Sequence, residues 1–343
     1  MKHLFRYSLD SLRPYVNWVY FFHAWGMPPR FATVAATHDC PACRAAWLGQ
    51  FDGQERAQAE EAAHLFADAV RMLRELEPQC EAKGLCAICP AWSEGEDLVI
   101  ATEEIVGNVE KGAESAEETA TDAEGAFTLL HLPLLRQQYT AHEGDACLCL
   151  SDYISPHRPS GTFIRRRLRG SAPDNDTDNT LCIFATAADW KVPHHSADDK
   201  YEEMLRQTLL DRMAEAAAEK MHEEVRRTHW GYAQDEHLTP RELLEEKYQG
   251  LRPAVGYPSL PDQSFIFLLD QAARFADVGV SLTESGMMLP HAATAGLMFG
   301  HKAARHFGVG RIDRRQLADY ARRRGCTEDY LRRFLAGNIA DTQ

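Results

Sequence analysis

The residues best suited to chemistry stand together in one short stretch, Arg252-Pro253-Ala254-Val255-Gly256-Tyr257. Arg252 supplies a planar cation that can pair with a carboxylate through two parallel hydrogen bonds. Pro253 fixes the turn, and Gly256 lets the backbone come close to a ligand. Tyr257 adds a phenol. This combination predicts a binding loop for a zwitterionic ligand that carries a flat ring.

Carboxylates lie near this loop in the sequence. Glu245 and Glu246 precede it closely, and Glu215 falls on a predicted helix. Such carboxylates can balance the positive charge of a ligand. The alternative for each is a solvent-exposed position on a helix surface, which is where most glutamates are found. The sequence leaves both interpretations open.

Two C-x-x-C pairs, Cys40 with Cys43 and Cys86 with Cys89, resemble a zinc site when they are taken as text. The second pair lies in an apolar run with strand character, where an odd spacing points the two thiols to opposite faces. We therefore expect no metal site and treat Cys86 and Cys89 as buried small hydrophobes. Cys40 and Cys43 are expected to form an exposed thiol pair on a loop, with metal binding by these two residues as the alternative.

Several catalytic motifs are absent from the sequence, namely the phosphate-binding G-x-x-x-x-G-K-[ST], a strand-linked G-x-G-x-x-G and the hydrolase G-x-S-x-G. Histidines occur at 194–195 and as His291, His301 and His306. No two of them have the i, i+4 spacing of a helical metal motif, so we expect polar or packing roles. We predict ligand-binding residues and no catalytic residue.

The composition sets outer limits on function. At 343 residues, with 45% hydrophobic and 26% charged residues, the chain can bury a large core as one domain or two joined lobes. A formal net charge of −14 argues against a general nucleic-acid binder, because phosphate contacts need a basic face. No segment approaches the roughly 20 apolar residues of a membrane span, and residues 1–10 lack the apolar core of a secretory signal. We expect a cytoplasmic protein.

Hydrophobic spacing predicts the elements that position the loop. Helical periodicity is present over residues 9–25, 55–76, 197–228 and 265–275. A capping box at Thr239 and Glu242 starts a further helix that is expected to end near Gly250, and a second box at Asp313 and Gln316 starts another. Asn17 interrupts the aromatic N-terminal segment. It either caps local backbone or faces a ligand, and its position favours the cap.

Apolar runs predict strands at residues 84–91, 98–101, 147–154, 181–188, 278–283, 295–300 and 306–312, with the first two joined as a hairpin. Residues 31–54 are expected to be irregular, and residues 103–124 to form a mobile loop or weak helix. Helices mixed irregularly with hairpin-like strands indicate an α+β fold with a largely antiparallel sheet.

Longer motifs extend over most of the chain: Tyr15-Val16-Asn17-Trp18, Ser151-Asp152-Tyr153-Ile154, Asp211-Arg212-Met213-Ala214-Glu215-Ala216, Trp230-Gly231-Tyr232-Ala233, Tyr248-Gln249-Gly250-Leu251 leading into the loop, and Leu282-Thr283-Glu284-Ser285. In this combination the chain resembles the C-terminal activation domain of cobalamin-dependent methionine synthase. The resemblance implies one C-shaped domain over residues 1–343, with a twisted, largely antiparallel sheet flanked by helices. Segments near 31–54, 103–124 and 165–180 read as insertions that are atypical of the family.

The resemblance also implies a ligand and the residues that bind it. The family binds S-adenosylmethionine, and the ligand's carboxylate falls to Arg252. By the same resemblance, the backbone of Ala254 binds the adenine, with Gly256 permitting close approach, and Tyr257 lies near the sulfonium. Glutamates of the site correspond to Glu215 and Glu246.

Three positions depart from the family pattern. An aspartate that binds the ligand's amine is replaced by Asn17, which keeps an acceptor but loses the negative charge. A pair of tyrosines corresponds to His306 and Phe307. A Trp-Pro-Gly loop near the corrin reads Leu289-Pro290-His291 here.

The resemblance implies that cobalamin is carried by a partner chain, a cobalamin-binding methionine synthase subunit, because this sequence has no room for the homocysteine, folate and cobalamin domains. Our expectation is a stand-alone reactivation component that presents the methyl group of S-adenosylmethionine to reduced cobalamin, with a flavodoxin-like protein as electron donor. The alternative, motivated by Asn17, His291 and His306, is a non-catalytic adaptor or chaperone for another corrinoid protein.

Overall fold

The computed structural model describes residues 1–38, 40–102, 117–122, 125–140, 142, 144–170, 176–192 and 199–339. Its strands are β1 Lys2–Tyr7, β2 Cys80–Glu94, β3 Asp97–Thr102, β4 Glu117–Asp122, β5 Gly125–Pro133, β6 Thr180–Trp190, β7 Ser281–Leu282, β8 Met288–Leu289 and β9 Ala293–Met298. Seven of them form one open sheet in the order β4-β5-β3-β2-β6-β9, with β1 alongside β2, while β7 and β8 form a separate ribbon. Every pairing between these strands is antiparallel.

Strand β2 is the longest strand of the sheet and joins its parts. One edge of β2 pairs with β6 along residues 80–90. The other edge is shared, because β1 pairs with residues 82–87 and β3 pairs with residues 91–94. Since side chains alternate along a strand, β2 contributes to a core on each face of the sheet.

Helices and helical turns cover both faces. The α-helices are α1 Leu9–Leu12, α2 Trp18–Ala24, α3 Pro41–Leu48, α4 Gly53–Leu76, α5 Gly161–Leu168, α6 Lys200–Glu224, α7 Pro240–Leu244, α8 Phe265–Ala273, α9 Arg314–Arg323 and α10 Glu328–Leu335. Short 3₁₀ helices occupy Arg13–Tyr15, Pro29–Ala36, Leu150–Tyr153 and Phe275–Val278, and Val225–His229 is a π-helical turn. None of the helices within the described ranges is both long and apolar enough to cross a membrane.

Two large hydrophobic cores lie on opposite faces of the sheet. One contains Cys86 with side chains of the N-terminal helices, α4 and α6, and the other contains Cys89 with side chains of α8. Both thiols are buried. The prediction that this pair points to opposite faces is therefore confirmed.

Helix α6 packs along the sheet and positions most of the acidic groups discussed below. Asp199 caps its start, because its carboxylate accepts a hydrogen bond from the backbone N–H of Tyr201. Leu205, Leu209 and Met213 are buried in the first core. This agrees with the apolar face that the periodicity predicts for residues 197–228, of which 199–228 are described.

The sequence predicts the α+β class correctly, and several elements with it. The hairpin of β2 and β3, the strands β6 and β9 and the helices α2, α4, α6, α8 and α9 occur where periodicity places them. The capping box of Thr239 and Glu242 is present, but α7 ends at Leu244 rather than near Gly250. Glu246 adopts a left-handed φ of 55°, which cannot continue a helix.

Two predicted strands are wrong. Residues 147–154 turn instead of extending, because the Asp152 carboxylate accepts a hydrogen bond from the Cys149 N–H at 2.8 Å and pairs with Arg136. Residues 306–312 are irregular and pack on the loop, where the Val309 N–H donates to the Pro258 carbonyl at 2.8 Å. The predicted strand at 278–283 is reduced to Ser281–Leu282.

Two segments are more ordered than predicted. Residues 31–54 contain most of the 3₁₀ helix Pro29–Ala36, all of α3 and the start of α4. Within 103–124, residues 117–122 form β4, which pairs with β5, so the prediction of a loop or weak helix is wrong there. Residues 103–116 and 123–124 lie outside the described part. The polar segment at 165–180 begins inside α5 and ends at the start of β6.

Candidate functional site

A cavity of about 510 Å³ lies between the start of α2, helix α6, the end of α7 and the loop after Leu251. Cavities of this size are typical of small-molecule sites. Its lining includes Asn17, Glu215, Glu246, Arg252, Ala254, Tyr257, His306 and Phe307. Of the predicted binding residues, Gly256 alone is not part of the lining. The structure therefore brings together residues from three distant parts of the sequence.

The loop is fixed by hydrogen bonds to the edge strand β9. The Leu297 N–H donates to the Pro253 carbonyl at 3.0 Å, and the Val255 N–H donates to the Ala295 carbonyl at 2.9 Å. Ala254 lies opposite Gly296 between these two bonds. Because backbone groups alternate along an extended chain, the N–H and C=O of Ala254 point away from β9.

Gly256 does not line the cavity, but its backbone conformation shapes the loop. Its φ is +86°, a backbone conformation that disfavours other residues, and an added Cβ would lie 2.6 Å from Oε1 of Gln263. The close contact that this glycine permits is with the Gln263 side chain. The predicted close approach of a ligand at Gly256 stays a prediction.

Arg252 is largely enclosed, with 17% of its side chain exposed, and it is paired with Glu219. Its Nη2 donates to Oε2 of Glu219 at 2.8 Å, and the guanidinium lies 5.6 Å from the ring centroid of Phe184. Burial by itself lowers the pKa of Arg252, but the charges of Glu219, Tyr248 and Glu215 together outweigh it and hold the pKa above the ordinary value. Within the described ranges, the buried Nε of Arg252 and Oε1 of Glu219 have no hydrogen-bond partner. Both atoms are enclosed by protein, so a ligand in the cavity meets the exposed remainder of the ion pair.

Glutamates form a stripe on α6, because Glu215, Glu219 and Glu223 are spaced four residues apart. The phenol of Tyr257 donates to Oε1 of Glu215 at 3.3 Å, and the phenol of Tyr15 donates to Oε2 of Glu223 at 2.7 Å. Burial and the neighbouring Glu215 raise the pKa of Tyr257, so this phenol stays protonated at neutral pH. Glu215 and Glu219 of this stripe line the cavity, and Arg212 on the same helix lines it too, 3.8 Å from Glu215. This wall therefore carries both signs of charge, which suits a zwitterionic ligand.

Glu246 and His306 form a pair at the cavity wall. Oε1 of Glu246 lies 2.9 Å from Nε2 of His306, and both side chains are about half exposed. The hydrogen bond with His306 lowers the pKa of Glu246, although burial opposes this shift. Glu246 is therefore already engaged with a neighbour rather than free toward the cavity.

Asn17 has two features that the sequence posed as alternatives. Its side chain caps α2, because Oδ1 accepts a hydrogen bond from the Val19 N–H at 3.1 Å. The same residue also lines the cavity. The predicted cap is confirmed, and it uses the carbonyl oxygen of the amide.

Sequence reasoning missed Glu219, Tyr15 and Tyr248, all of which line the cavity. Glu219 stands one helical turn after Glu215 on a predicted helix, but that spacing alone does not distinguish a glutamate that lines a cavity from one on the solvent face. The contribution of Tyr15 depends on how α6 packs against the N-terminal segment, and no local pattern reports that packing. The ring of His222 packs edge-on against Tyr248 and is fully buried. Burial, and to a lesser extent the charges of Arg226 and Arg252, lower the pKa of His222 well below its ordinary value.

The first cysteine pair lies away from this cavity. Cys40 caps α3, because its Sγ accepts a hydrogen bond from the Cys43 N–H at 3.3 Å, so the pair is not on an exposed loop as predicted. Hydrogen bonds from the Cys43 thiol and N–H, and then from His38, lower the pKa of Cys40 to about 7. Both cysteines are partly exposed and free.

The other histidines have the polar and packing contacts that the sequence predicts. His291 Nδ1 lies 3.3 Å from Oδ1 of Asp211, and the His301 ring stacks on Tyr153 with a centroid distance of 6.1 Å. The histidines at 194–195 lie outside the described residues.

Two comparisons with known proteins bear on this arrangement. The family described as "Vitamin B12 dependent methionine synthase, activation domain" matches residues 8–325. Among solved structures, the crystal structure of the MetH reactivation domain bound to AdoHcy is similar, with 28% sequence identity and a TM-score of 0.71. The match covers 100% of this chain and 91% of that chain. The similarity therefore includes the sheet and its helices as well as the cavity.

Proposed function

This chain belongs to the family of vitamin B12-dependent methionine synthase activation domains, and on that basis we propose that its cavity binds S-adenosylmethionine. The protein holds the ligand for methyl transfer to a reduced cobalamin on a partner chain. The homologous reactivation domain was crystallised with AdoHcy, the demethylated product of the same ligand. That complex supports the choice of ligand.

The observation that carries the proposal is the ion pair of Arg252 and Glu219, both of which line the cavity. Their side chains are 17% and 9% exposed, so the pair is nearly dry but still reaches the cavity. An α-amino acid group offers a carboxylate to the guanidinium and an ammonium to the glutamate. Because hydrogen bonds to charged groups are worth about 1.5–3 kcal/mol each, a zwitterion that makes both is favoured over a ligand that makes one.

Other parts of the lining fit the remainder of the ligand. The Ala254 N–H can donate to the edge of an adenine, while its C=O already accepts from the Tyr257 N–H at 3.3 Å. Phe307 gives the wall an apolar ring. The phenol of Tyr257 with Glu215 offers a negative environment for a sulfonium. Each contact is of a type that one end of S-adenosylmethionine requires.

This chain's own residues bind and orient the ligand rather than perform chemistry on it. When bound, S-adenosylmethionine supplies an electrophilic methyl group, and the cobalt of the partner's reduced cobalamin is the nucleophile. Arg252 and Glu219 fix the amino-acid end, so that the ligand is held in one orientation. We assign no general acid or base, since methyl transfer to a metal requires no proton transfer.

Calorimetry tests the ligand directly. Wild type should bind S-adenosylmethionine and S-adenosylhomocysteine, and Arg252→Ala should lose both. Arg322→Ala is the matched control, because Arg322 is an exposed arginine on α9 with only an exposed partner, Asp319. Absence of binding by the folded wild type would contradict the proposed ligand.

For the partner we propose a cobalamin-binding methionine synthase subunit, with a flavodoxin-like electron donor. Support comes from the family and from exposed rings at the mouth, Tyr20 and Tyr257, which suit contact with a large flat partner. Mixing the protein with that subunit in its cob(II)alamin form, a reductant and S-adenosylmethionine should give the methylcobalamin spectrum. Arg252→Ala should give none, and a wild type without activity in this assay would argue against the partner.

A second function, an adaptor for another corrinoid protein, is favoured by one observation. The Asn17 oxygen is already bonded to the Val19 N–H, and its neutral amide offers no charge to a ligand's ammonium. Co-purification with cobalamin proteins separates the two proposals. Capture that is independent of S-adenosylmethionine favours the adaptor, whereas capture that requires it favours reactivation.

A further inference from the structure

Three side chains of the types that bind metals, those of His38, Cys40 and Cys43, lie together at the start of α3, away from the cavity. The ligand atoms of His38, Cys40 and Cys43 all lie within 4.8 Å of one another. The two thiols come from one helix start, and the imidazole comes from the preceding segment. We propose that His38, Cys40 and Cys43 bind a divalent cation of the zinc type.

Hydrogen bonds fix the backbone around these residues. The Cys40 N–H donates to the His38 carbonyl at 2.8 Å, and the Arg44 N–H donates to the Cys40 carbonyl at 3.0 Å. Pro41 occupies the first turn of α3, where its missing N–H carries no cost. Binding therefore requires only small side-chain adjustments rather than folding of the segment.

Anchors on both sides connect the cluster to the core. Trp47, one turn after Cys43 on α3, is buried and donates from its indole to Oγ1 of Thr33 at 2.9 Å. The Trp47 ring lies 5.0 Å from the Phe51 ring, and the Phe31 ring lies 5.4 Å from Phe51 and 6.4 Å from Trp47, so the three rings pack together. The 3₁₀ helix before His38 and helix α3 after Cys40 are thus fixed relative to each other, which keeps the three ligands together.

The donor set selects the class of metal. Two thiolates and a neutral imidazole carry two negative charges, which balance a divalent cation, and they are ligands for zinc rather than for magnesium or calcium. Three protein ligands leave one position of a tetrahedron for water or another donor. The cation would cross-link the chain across the turn that precedes α3. This site does not depend on the proposed S-adenosylmethionine function, because none of its ligands lines that cavity.

Cobalt(II) titration of the reduced full-length chain tests the site, because cobalt in a thiolate site gives intense sulfur-to-metal charge-transfer absorption. We expect saturation at one equivalent and loss of the absorption when Zn²⁺ is added. Cys43→Ser should reduce that absorption and weaken Zn²⁺ binding by more than about 100-fold, beyond the loss typical of outer-shell partners. Cys326→Ser, another partly exposed free cysteine, is the matched control and should behave as wild type.

Two further variants define the ligand set. Cys40→Ser removes a thiolate but retains an oxygen that caps α3, so the fold is preserved. His38→Ala leaves both thiolates and should weaken Zn²⁺ binding measured against a chromogenic chelator. No charge-transfer absorption in the reduced wild type would overturn the proposal. Unchanged affinity in His38→Ala or in Cys43→Ser would also overturn the assigned ligands.

Discussion

At the scale of single residues, the pairing of Arg252 with Glu219 determines how the cavity distinguishes ligands. A lone buried arginine attracts any anion. An arginine whose Nη2 is held by Glu219 is fixed in orientation, and the carboxylate lies beside it in the same cavity wall. Buried ionic groups with defined partners select by geometry as much as by charge. We therefore expect the site to select ligands that carry both charges of an amino acid.

Glu219→Gln tests this specificity. Glutamine keeps the shape and an oxygen for Arg252, but it removes the charge that attracts an ammonium. Hydrogen bonds to charged groups are worth about 1.5–3 kcal/mol, so we expect the S-adenosylmethionine affinity to fall by roughly 10- to 100-fold. Calorimetry measures the loss, with Glu60→Gln on the exposed surface of α4 as the control.

An analogue of S-adenosylmethionine that lacks the amino group gives the complementary measurement. Wild type should bind it weakly, and Glu219→Gln should lose little more. If the variant discriminated against the analogue as strongly as wild type does, Glu219 would not be the ammonium's partner.

The sequence predicts Arg252 as a binding residue, but it does not predict Glu219. The Arg252 loop was recognisable because proline, glycine and tyrosine stand beside the arginine within six positions. Glu219 lies in a helix that contains several other glutamates, and no neighbour in the sequence marks it as buried. Its role depends on the face of α6 that meets the loop, which is decided by packing between segments about 30 residues apart.

At the scale of elements, the loop takes its shape from β9. Strand β9 is at the edge of the sheet, and the loop extends that edge through the bonds at Pro253 and Val255. Such a bridge requires close approach of two backbones. Gly296 permits it, because a Cβ there would lie 2.2 Å from the Pro253 carbonyl oxygen and 2.7 Å from the Ala254 Cα.

Gly296→Ala should push the loop away from β9. Overpacking of this kind costs about 1–3 kcal/mol of the free energy of unfolding. Since Ala254 would move with the loop, we also expect S-adenosylmethionine binding to weaken by about tenfold or more. Guanidinium unfolding and calorimetry measure the two effects. Gly337→Ala, at a position with open space around it, should change neither.

Strand β1 carries a pH-sensitive contact with the turn after α6. The rings of His3 and His229 lie 4.1 Å apart, and burial, His229 and the N-terminal amine lower the pKa of His3 to about 4. In the unfolded chain this pKa is 6.5. The folded state therefore binds fewer protons between these values, so stability is complete above about pH 6.5 and declines as the pH falls toward 4.

His3→Gln removes this contribution to the pH dependence. The loss of unfolding free energy between about pH 7 and about pH 4.5 should be smaller in the variant than in wild type. Guanidinium unfolding at both pH values measures it, with the exposed His64→Gln as the control. Equal losses in His3→Gln and wild type would show that His3 does not titrate as proposed.

Elements with strict periodicity were predictable, and elements set by side-chain hydrogen bonds were not. The hairpin of β2 and β3 and the helix α6 follow from the spacing of their apolar residues. The turn at 147–154 is hydrophobic enough to read as a strand. It is bent by Asp152, which binds the Cys149 N–H and Arg136, a residue that precedes it by 16 positions. The spacing of apolar residues along the chain does not indicate such a hydrogen bond.

At the scale of the whole molecule, the sheet separates two cores that mix distant parts of the chain. The first core joins the N-terminal helices to α6, and the second joins β2 and β6 to α8. The α+β class was predictable from the mixture of elements. The strand order was not predictable, because β6 lies about 100 residues beyond β2, and β9 lies about 110 residues beyond β6. No local pattern specifies pairing between strands so far apart in the sequence.

The C-terminal helices are attached to this body by a buried polar group, Asp262 with Tyr320 and Arg324. Oδ2 of Asp262 accepts from the Tyr320 phenol at 2.7 Å and from Nη1 of Arg324 at 3.1 Å. Oδ1 of Asp262 accepts from Oγ of Ser264 at 2.7 Å. Arg324 and Asp262 are both almost fully buried. Arg324 also donates from Nη2 to Oγ of Ser264 at 3.2 Å, but Asp262 is its ion-pair partner. Removal of this carboxylate would therefore leave a buried cation without its counter-charge.

Asp262→Ala should therefore destabilise the protein by about 3–5 kcal/mol, the usual cost of breaking a buried ion pair from one side. The effect should appear as a lower guanidinium midpoint in the whole chain. Glu328→Ala breaks an exposed i, i+4 pair with Arg332 on α10 and should cost no more than about 0.5 kcal/mol. If the two variants lost similar amounts, the C-terminal helices would be held by their apolar contacts. Loss confined to Asp262→Ala would establish that one carboxylate couples these helices to the body that forms the cavity.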